Sequence, residues 1–176
     1  MVLLELVGIS LQAGCRFFLF FARESRIIKV MEQKRSAGII INDGAILLMH
    51  RVRDGKEFYA FPGGGIEQGE EPSETVVREV KEETGLDVVC GDLVYRTHGG
   101  LRSEQFFYVC EYQGGEAKLP IDSPENMRMK DGRQYYKPEW ISLSQLEELI
   151  VYPVEIKDAV LSDAPVGFRE AREFSL

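Results

Sequence analysis

Residues 64–86 read GGIEQGEEPSETVVREVKEETGL, and this stretch decides the fold. Pro72 suits the first turn of a helix and Gly85 suits the position after its last turn, which predicts a helix from about Pro72 to Thr84. The stretch holds seven carboxylates against two basic side chains, a formal charge of −5. The sequence therefore predicts a strongly acidic helix preceded by a glycine-rich turn.

Three of these carboxylates share one face of the predicted helix. At about 100° per residue, Glu83 lies about 40° and Glu82 about 60° from Glu79. An adjacent apolar stripe is predicted to face the core and consists of Val76, Val77, Val80 and Thr84. Like charges this close are unfavourable unless a cation lies among them, and oxygen ligands suit Mg²⁺ or Mn²⁺. A solvated acidic face explains the spacing equally well, so the helix pattern leaves both interpretations open.

The whole stretch resembles the Nudix box, G-x5-E-x7-R-E-U-x-E-E-x-G-U, in which U is an apolar residue. Every specified position is matched, by Gly64, Glu70, Arg78, Glu79, Val80, Glu82, Glu83, Gly85 and Leu86. A match at nine positions over 23 residues is far more specific than a lone glycine motif. The resemblance implies a MutT-like Nudix hydrolase with that family's αβα sandwich, an α/β fold built on a mixed sheet.

The resemblance also implies a metal centre. The family's metal-binding carboxylates correspond to Glu79, Glu82 and Glu83, and its backbone metal ligand corresponds to the carbonyl of Gly64. The implied cofactor is Mg²⁺, with Mn²⁺ as the alternative. Such an ion also explains why so many acidic residues gather in one segment.

Further roles follow from the same resemblance. Arg78 corresponds to the arginine that orients the helix carboxylates, Glu70 to the loop glutamate that braces the box, and Gly85 to its closing glycine. Arg51 ends a predicted hairpin strand where MutT-like members place an arginine, which makes it a candidate phosphate contact. An exposed cation at the end of a strand is the alternative for Arg51.

The position of the general base is left open. In the family it lies either in the box helix, where Glu79 and Glu82 are candidates, or in the loop before the last strand. That loop offers Glu125 and Asp131, and Asp131 better matches the family's slot relative to the tryptophan-containing strand, where MutT-like members have a glutamate. The predicted catalytic set therefore consists of Arg78, Glu79, Glu82 and Asp131.

The family hydrolyses nucleoside diphosphates linked to another moiety. Residues 96–104 contain neither the proline-containing signature of members that act on ADP-ribose or NADH nor the tyrosine of members that act on diadenosine polyphosphates. Elimination favours a nucleoside triphosphate, hydrolysed to monophosphate and pyrophosphate. A pyrophosphatase for ADP-ribose or another nucleotide sugar, and a Nudix-fold nucleotide sensor without turnover, remain the alternatives.

Composition bounds the remaining possibilities. A chain of 176 residues with 44% hydrophobic and 28% charged residues is predicted to form one domain with a buried core. The net charge of −8 argues against a general affinity for extended nucleic acid. The three cysteines lack zinc-site or disulfide-framework spacing, which favours a reduced, cytoplasmic protein.

Residues 1–35 are predicted to be an extension outside the Nudix hydrolase domain, which is assigned to residues 36–165, with a C-terminal tail over 166–176. The longest uncharged run of the extension, Leu6 to Cys15, is much shorter than the roughly 20 residues that span a bilayer. The extension is interpreted as an interfacial appendage, as a packing or dimerisation segment that leaves a homodimer possible, or as the product of an upstream start. We favour the last.

Elsewhere the apolar pattern and the turn residues predict a mixed sheet between helices. Strands are predicted at 37–41, 45–49, 58–61, 86–94, 104–112 and 135–141, and helices at 142–150 and 153–161. The helix at 142–150 is predicted from Ser142 and Gln145, which match a capping box. The strands predicted at 104–112 and 135–141 are joined by a long polar loop, residues 114–134, which is predicted to close over the substrate.

Overall fold

The computed structural model describes residues 34–99, 104–129, 132 and 134–176. The predicted extension, except its last two residues, and Asp131 therefore lie outside the described residues. The strands are β1 (Arg35–Asn42), β2 (Ala45–Arg53), β3 (Lys56–Ala60), β4 (Gly63–Gly65), β5 (Asp87–His98), β6 (Glu104–Gly114), β7 (Gln134–Ser142), β8 (Val151–Tyr152) and β9 (Arg172–Ser175). The α-helices are α1 (Pro72–Thr84), α2 (Pro124–Arg128), α3 (Leu143–Leu146) and α4 (Val154–Asp163).

The strands form one mixed sheet in the order β8-β3-β2-β1-β6-β5-β9, with β4 paired to β1 and β7 paired to β2. Strand β1 lies at the centre and pairs in parallel with β6 from Arg35 to Ile40. It pairs with β2 in antiparallel fashion at Ile41 and Asn42. The predicted mixed sheet is confirmed.

Alternating side chains of the central strands bury two separate apolar clusters. On β1, Ile39 belongs to a cluster that includes Ile156 and Val160 of α4. The next residue, Ile40, belongs to a cluster that includes Val80 of α1. Because neighbouring side chains of a strand point to opposite faces, the two helices cover opposite faces of the sheet. The αβα sandwich is thereby confirmed.

Helix α1 has the predicted bounds, and the capping interactions at its two ends explain them. The Glu74 carboxylate accepts a hydrogen bond of 3.1 Å from the backbone N–H of Glu71, the N-cap residue. Gly85 has a φ of 73° and donates its N–H to the carbonyl of Lys81, which ends the helix. Val77 does not belong to the core stripe as predicted, because its side chain is 37% exposed.

The helix predicted over 142–150 is much shorter. Helix α3 ends at Leu146, and the Ser142 hydroxyl donates to the side-chain oxygen of Gln145 at 2.7 Å instead of capping the backbone. The fully buried Leu146 and the pairing of Val151 with Tyr59 require the chain to turn soon after one helical turn. Local capping chemistry is thus overridden by tertiary packing.

Two other segments contain structure that the sequence did not predict. The loop over 114–134 includes α2, with Ser123 as its N-cap residue. The tail assigned to 166–176 includes β9, which pairs in parallel with β5 from Tyr95 to His98. Within the described ranges, no helix is long and apolar enough to cross a membrane.

Candidate active site

Arg78 organises the acidic face of α1. Its Nε and Nη2 atoms each donate to one oxygen of Glu70 at 2.8 Å, a bidentate ion pair. Its Nη1 atom donates to Glu79 Oε1 at 2.8 Å and lies 3.6 Å from Glu82 Oε1. One guanidinium thus fixes the brace predicted at Glu70 and orients the helix carboxylate of Glu79, while its contact with Glu82 is looser.

Glu70 is held firmly in its charged form. The hydrogen bonds from Arg78 lower the pKa of its carboxyl to about 2, although partial burial acts in the opposite direction. The Thr75 hydroxyl and the backbone N–H of Glu67 donate to the same Oε2 atom, at 2.7 and 3.1 Å. The loop before α1 is therefore fastened to the helix at several points.

The carboxylate of Glu79 lies directly against the backbone of Gly64. A Cβ atom added at Gly64 would lie 2.2 Å from both Cδ and Oε1 of Glu79, so only glycine leaves room for this approach. Burial raises the pKa of Glu79, and the neighbouring Arg78 opposes that effect. The structure therefore places the two oxygen-bearing groups, the Gly64 backbone and the Glu79 side chain, side by side.

Glu83 is buried and engaged at both oxygens. Arg51 Nη2 donates to Oε1 at 2.8 Å, and the backbone N–H of Gly63 donates to Oε2 at 2.8 Å. Burial raises the pKa of Glu83, and the charges of Arg51 and Arg35 oppose this effect. The hydrogen bonds of Glu83 thus come from Arg51 and Gly63, whereas the charge of Arg35 acts on both Glu83 and Glu79.

Arg51 reaches Glu83 because of the strand pattern. Leu47, Met49 and Arg51 alternate along β2, and Leu47 belongs to the cluster that packs on α1. The Arg51 guanidinium also lies 5.5 Å from the ring centroid of Tyr136, its cross-strand partner on β7. Its buried Nε atom has no hydrogen-bond partner among the described residues. The Arg51 guanidinium therefore binds Glu83 through Nη2 while its Nε is unpaired within the described residues, and it is not an exposed cation at a strand end.

The side chains of the described residues contain no group of three His, Cys, Asp or Glu that could hold a metal ion together. Glu79 and Glu82 lie around Arg78, and Arg51 contacts Glu83. The charge of Arg35 acts on both Glu79 and Glu83. The oxygen donors on this side of α1 that suit a hard divalent cation are the carboxylates of Glu79, Glu82 and Glu83 and the backbone of Gly64, which lies against Glu79. Each oxygen of Glu83 accepts one hydrogen bond from the described residues, which leaves a lone pair on each for a metal ion.

Glu125, one of the two loop candidates for the general base, lies at this site. It is buried in the first turn of α2, and its carboxylate accepts a hydrogen bond of 2.6 Å from Arg128. It lies close enough to Glu83 for its charge to contribute to the raised pKa of Glu83. Asp131, the first choice from the sequence, is outside the described residues, so the structure places Glu125 alone.

A cavity of about 420 Å³ opens next to these groups. Its lining includes Arg35, Arg51, Phe58, Gln105, Phe107 and Tyr152. The rings of Phe58 and Tyr152 meet edge to face, with centroids 5.8 Å apart. Because these residues come from strands that are distant along the chain, the sequence contained no local signal for the cavity.

Comparison with known proteins places these features in a family. The NUDIX domain model matches residues 32–161, so the chain belongs to the NUDIX family. This confirms the predicted family and the class of enzyme, a pyrophosphohydrolase that acts on phosphoanhydride bonds. Nudix hydrolases act on nucleotide derivatives and generally use divalent metal ions.

Among curated relatives, the RNA pyrophosphohydrolase of Bartonella bacilliformis is 26% identical over 148 residues, which cover 70% of this chain and 85% of that protein. The ADP-ribose pyrophosphatase of Methanocaldococcus jannaschii is 54% identical over 50 residues, covering 28% of this chain and 30% of that protein. The solved structure of the MutT protein of Bacillus halodurans has a TM-score of 0.57 and 24% identity, covering 81% of this chain and 89% of that one. This last likeness concerns the fold.

Proposed function

We propose that this enzyme hydrolyses nucleoside triphosphates to nucleoside monophosphate and pyrophosphate, with Mg²⁺ or Mn²⁺ as its cofactor. The observation that supports this most directly is the position of Arg51 between the acidic helix and the cavity. One nitrogen of its guanidinium contacts Glu83, while the buried Nε lacks a hydrogen-bond partner among the described residues. Arg51 also lines the cavity, where its guanidinium can donate a charge-assisted hydrogen bond to a phosphate oxygen of a substrate.

Arg51 lies between α1 and the aromatic cavity, and these two regions suit the polyphosphate and the nucleoside of a nucleotide, respectively. The polyphosphate fits the side of α1, where Glu79, Glu82, Glu83 and the Gly64 carbonyl would hold the metal ion. When bound, such an ion offsets the charge of the phosphates and makes a water molecule more acidic. The nucleoside fits the aromatic cavity, whose volume of about 420 Å³ lies within the usual range for small-molecule pockets.

The protein's own groups complete the proposed reaction. Arg78 holds Glu79 in position through its hydrogen bond of 2.8 Å, and Glu70 in turn fixes Arg78. Glu125 accepts the proton of the attacking water, since it is a buried carboxylate at the site. Asp131 is the other loop candidate for this general base.

The Glu125 assignment is tested by amide substitution. Glu125→Gln is expected to lower turnover by at least about 100-fold near neutral pH, with little change in directly measured substrate binding. Glu116→Gln, in the same loop but exposed, is the matched control. If Glu125→Gln costs less than tenfold and Asp131→Asn costs more, the base is Asp131.

A second candidate reaction is favoured by the names of the relatives. Removal of pyrophosphate from the 5′ end of a triphosphorylated RNA cleaves a phosphoanhydride bond, and several curated relatives are named RNA pyrophosphohydrolase. The net charge of −8 weighs against a long nucleic-acid contact. ADP-ribose hydrolysis is the third possibility, supported by the shorter match to a relative of that name.

A substrate panel separates these reactions. Purified protein is incubated with the four nucleoside triphosphates, ADP-ribose, a nucleotide sugar and a 5′-triphosphorylated oligoribonucleotide, with Mg²⁺ or with a chelator. The proposal requires metal-dependent release of pyrophosphate from at least one free triphosphate at the highest kcat/KM of the panel. A higher value for ADP-ribose or the oligonucleotide overturns it, and binding without turnover of any compound identifies a nucleotide sensor.

A further inference from the structure

Leu176, the residue that follows β9, is part of the cavity lining together with Arg35 and Gln105. Its backbone N–H donates to the carbonyl of His98 at 2.9 Å, which continues the pairing between β9 and β5. Leu176 is 38% exposed, so part of it is available for contact with a ligand. The end of this strand thus reaches the cavity assigned to the nucleoside.

Strand β9 is fastened to the domain by a cluster around Arg172. The Arg172 Nη1 atom contacts both oxygens of Asp163, at 3.0 and 2.9 Å. Asp163 also accepts a hydrogen bond of 2.7 Å from the hydroxyl of the buried Tyr95. The Arg172 guanidinium lies 5.1 Å from the ring centroid of Phe174. These contacts hold the strand from α4 on one side and from β5 on the other.

Gly99 allows the backbone of Leu176 to approach the end of β5 closely. It has a φ of +94°, and a Cβ atom added there would lie 2.9 Å from the carbonyl oxygen of Leu176. A larger residue would be strained at this φ and would collide with backbone. The close approach therefore fixes Leu176 beside the end of β5.

We infer that Leu176, held by β9, is a specificity-determining residue that contacts the base of the bound nucleotide. The same cavity is lined by the aromatic side chains of Phe58 and Phe107, and the buried Gln105 amide offers a donor and an acceptor. A planar heterocycle suits such walls, whereas a charged phosphate does not suit an apolar leucine. This inference rests on the proposed function, because it names the part of that substrate which the cavity selects.

The test separates the base from the phosphates by direct binding. Full-length wild-type protein and Leu176→Ala are titrated calorimetrically with each of the four nucleoside monophosphates and with inorganic tripolyphosphate. The variant is expected to bind the preferred monophosphate about tenfold more weakly, since apolar contact with the base is lost. Tripolyphosphate, which lacks a base, is expected to bind both proteins within twofold of each other. Ser175→Ala, an exposed neighbour on β9, is the control and is expected to change neither affinity.

A second variant tests the strand that positions Leu176. Arg172→Gln is expected to weaken monophosphate binding in the same selective way, together with a lower Tm. A lower Tm with unchanged monophosphate affinity identifies the Arg172 cluster as a purely structural element and overturns the positioning role of β9.

The inference is overturned if Leu176→Ala binds monophosphates as the wild type does, if it weakens both kinds of ligand equally, or if the wild type binds no monophosphate. Failure of the proposed function is recognised by a different result, namely which substrate the wild type hydrolyses. If the wild type hydrolyses ADP-ribose and no triphosphate, the proposed reaction is wrong. Titration with AMP, a product of ADP-ribose hydrolysis as well as of ATP hydrolysis, then still decides whether Leu176 contacts the base.

Discussion

Substitution of Gly64 by alanine tests whether Glu79 must lie where the structure places it. The added Cβ would lie 2.2 Å from Glu79 Cδ and Oε1. Carbon and oxygen atoms in contact are usually at least about 3.4 Å apart, so the carboxylate must move by more than about 1 Å. The obstacle is the end of a flexible side chain, and the φ of Gly64 is one that other residues accept. The fold is therefore expected to tolerate the change.

The expected loss concerns turnover. A misplacement of about 1 Å in a group that positions the reacting atoms can cost about 100-fold in rate, which corresponds to about 2.7 kcal/mol of activation free energy. Gly64→Ala is therefore expected to lower kcat by about 100-fold, while the free energy of unfolding changes by no more than about 1 kcal/mol. Pyrophosphate release at saturating substrate gives the first quantity, and urea unfolding followed by circular dichroism gives the second.

Gly63→Ala provides the contrast. Its Cβ would lie 2.2 Å from the backbone oxygen of Ser36, at a φ of +150°, so the clash cannot be relieved by a side chain. This variant is expected to lose stability and activity together. The reasoning is refuted if Gly64→Ala turns over within threefold of the wild type, or if it unfolds as readily as Gly63→Ala.

Three further predictions concern Glu83, Glu70 and residues 1–30. Glu83→Gln, which removes the anion facing Arg51, is expected to remain folded by circular dichroism and to lose at least about 100-fold in turnover; an active variant excludes a role for Glu83. The pKa of Glu70 is lowered from 4.5 to about 2, so its stabilising effect is complete above about pH 4.5 and is lost as the pH falls toward 2. Glu70→Gln is therefore expected to cost roughly 2 kcal/mol at pH 7 after allowance for solvent screening, and nearly nothing at pH 2, in urea unfolding. Removal of residues 1–30 is expected to leave a folded, active enzyme, because the family match begins at residue 32; an insoluble product or a much lower Tm contradicts this.

The sequence predicted best those features that depend on neighbouring residues. The bounds of α1 follow from Pro72 and Gly85, which act on the helix within one turn of its ends. The resemblance to the Nudix box implied that Arg78 orients the helix carboxylates and that Glu70 braces the box, and the structure joins these two residues directly. The helix bounds and the two roles could be predicted because one short segment contains the groups involved.

Contacts between distant segments were not predictable in the same way. Arg51 and Glu83 are 32 residues apart, and their ion pair depends on the register of β2 beneath α1. The choice between Glu125 and Asp131 relied on sequence position relative to Trp140. The structure adds that Glu125 is buried near Glu83, which the sequence did not indicate. The excess length of the helix predicted over 142–150 has the same origin, because a local signal cannot indicate when packing will end a helix.

The segment between β6 and β7 is attached to the domain near both of its ends. The backbone N–H of Lys118 donates to the carbonyl of Thr84 at 2.9 Å, directly beside the end of α1. The Met129 sulfur accepts a hydrogen bond of 3.2 Å from the backbone N–H of Tyr136. Between these two anchors the side chains of Ser123 and Glu125 are buried, whereas those of Ile121 and Met127 are exposed. Related hydrolases are therefore expected to vary in this segment at its exposed positions, and a segment transplanted from one of them must bring residues that fill the same buried places.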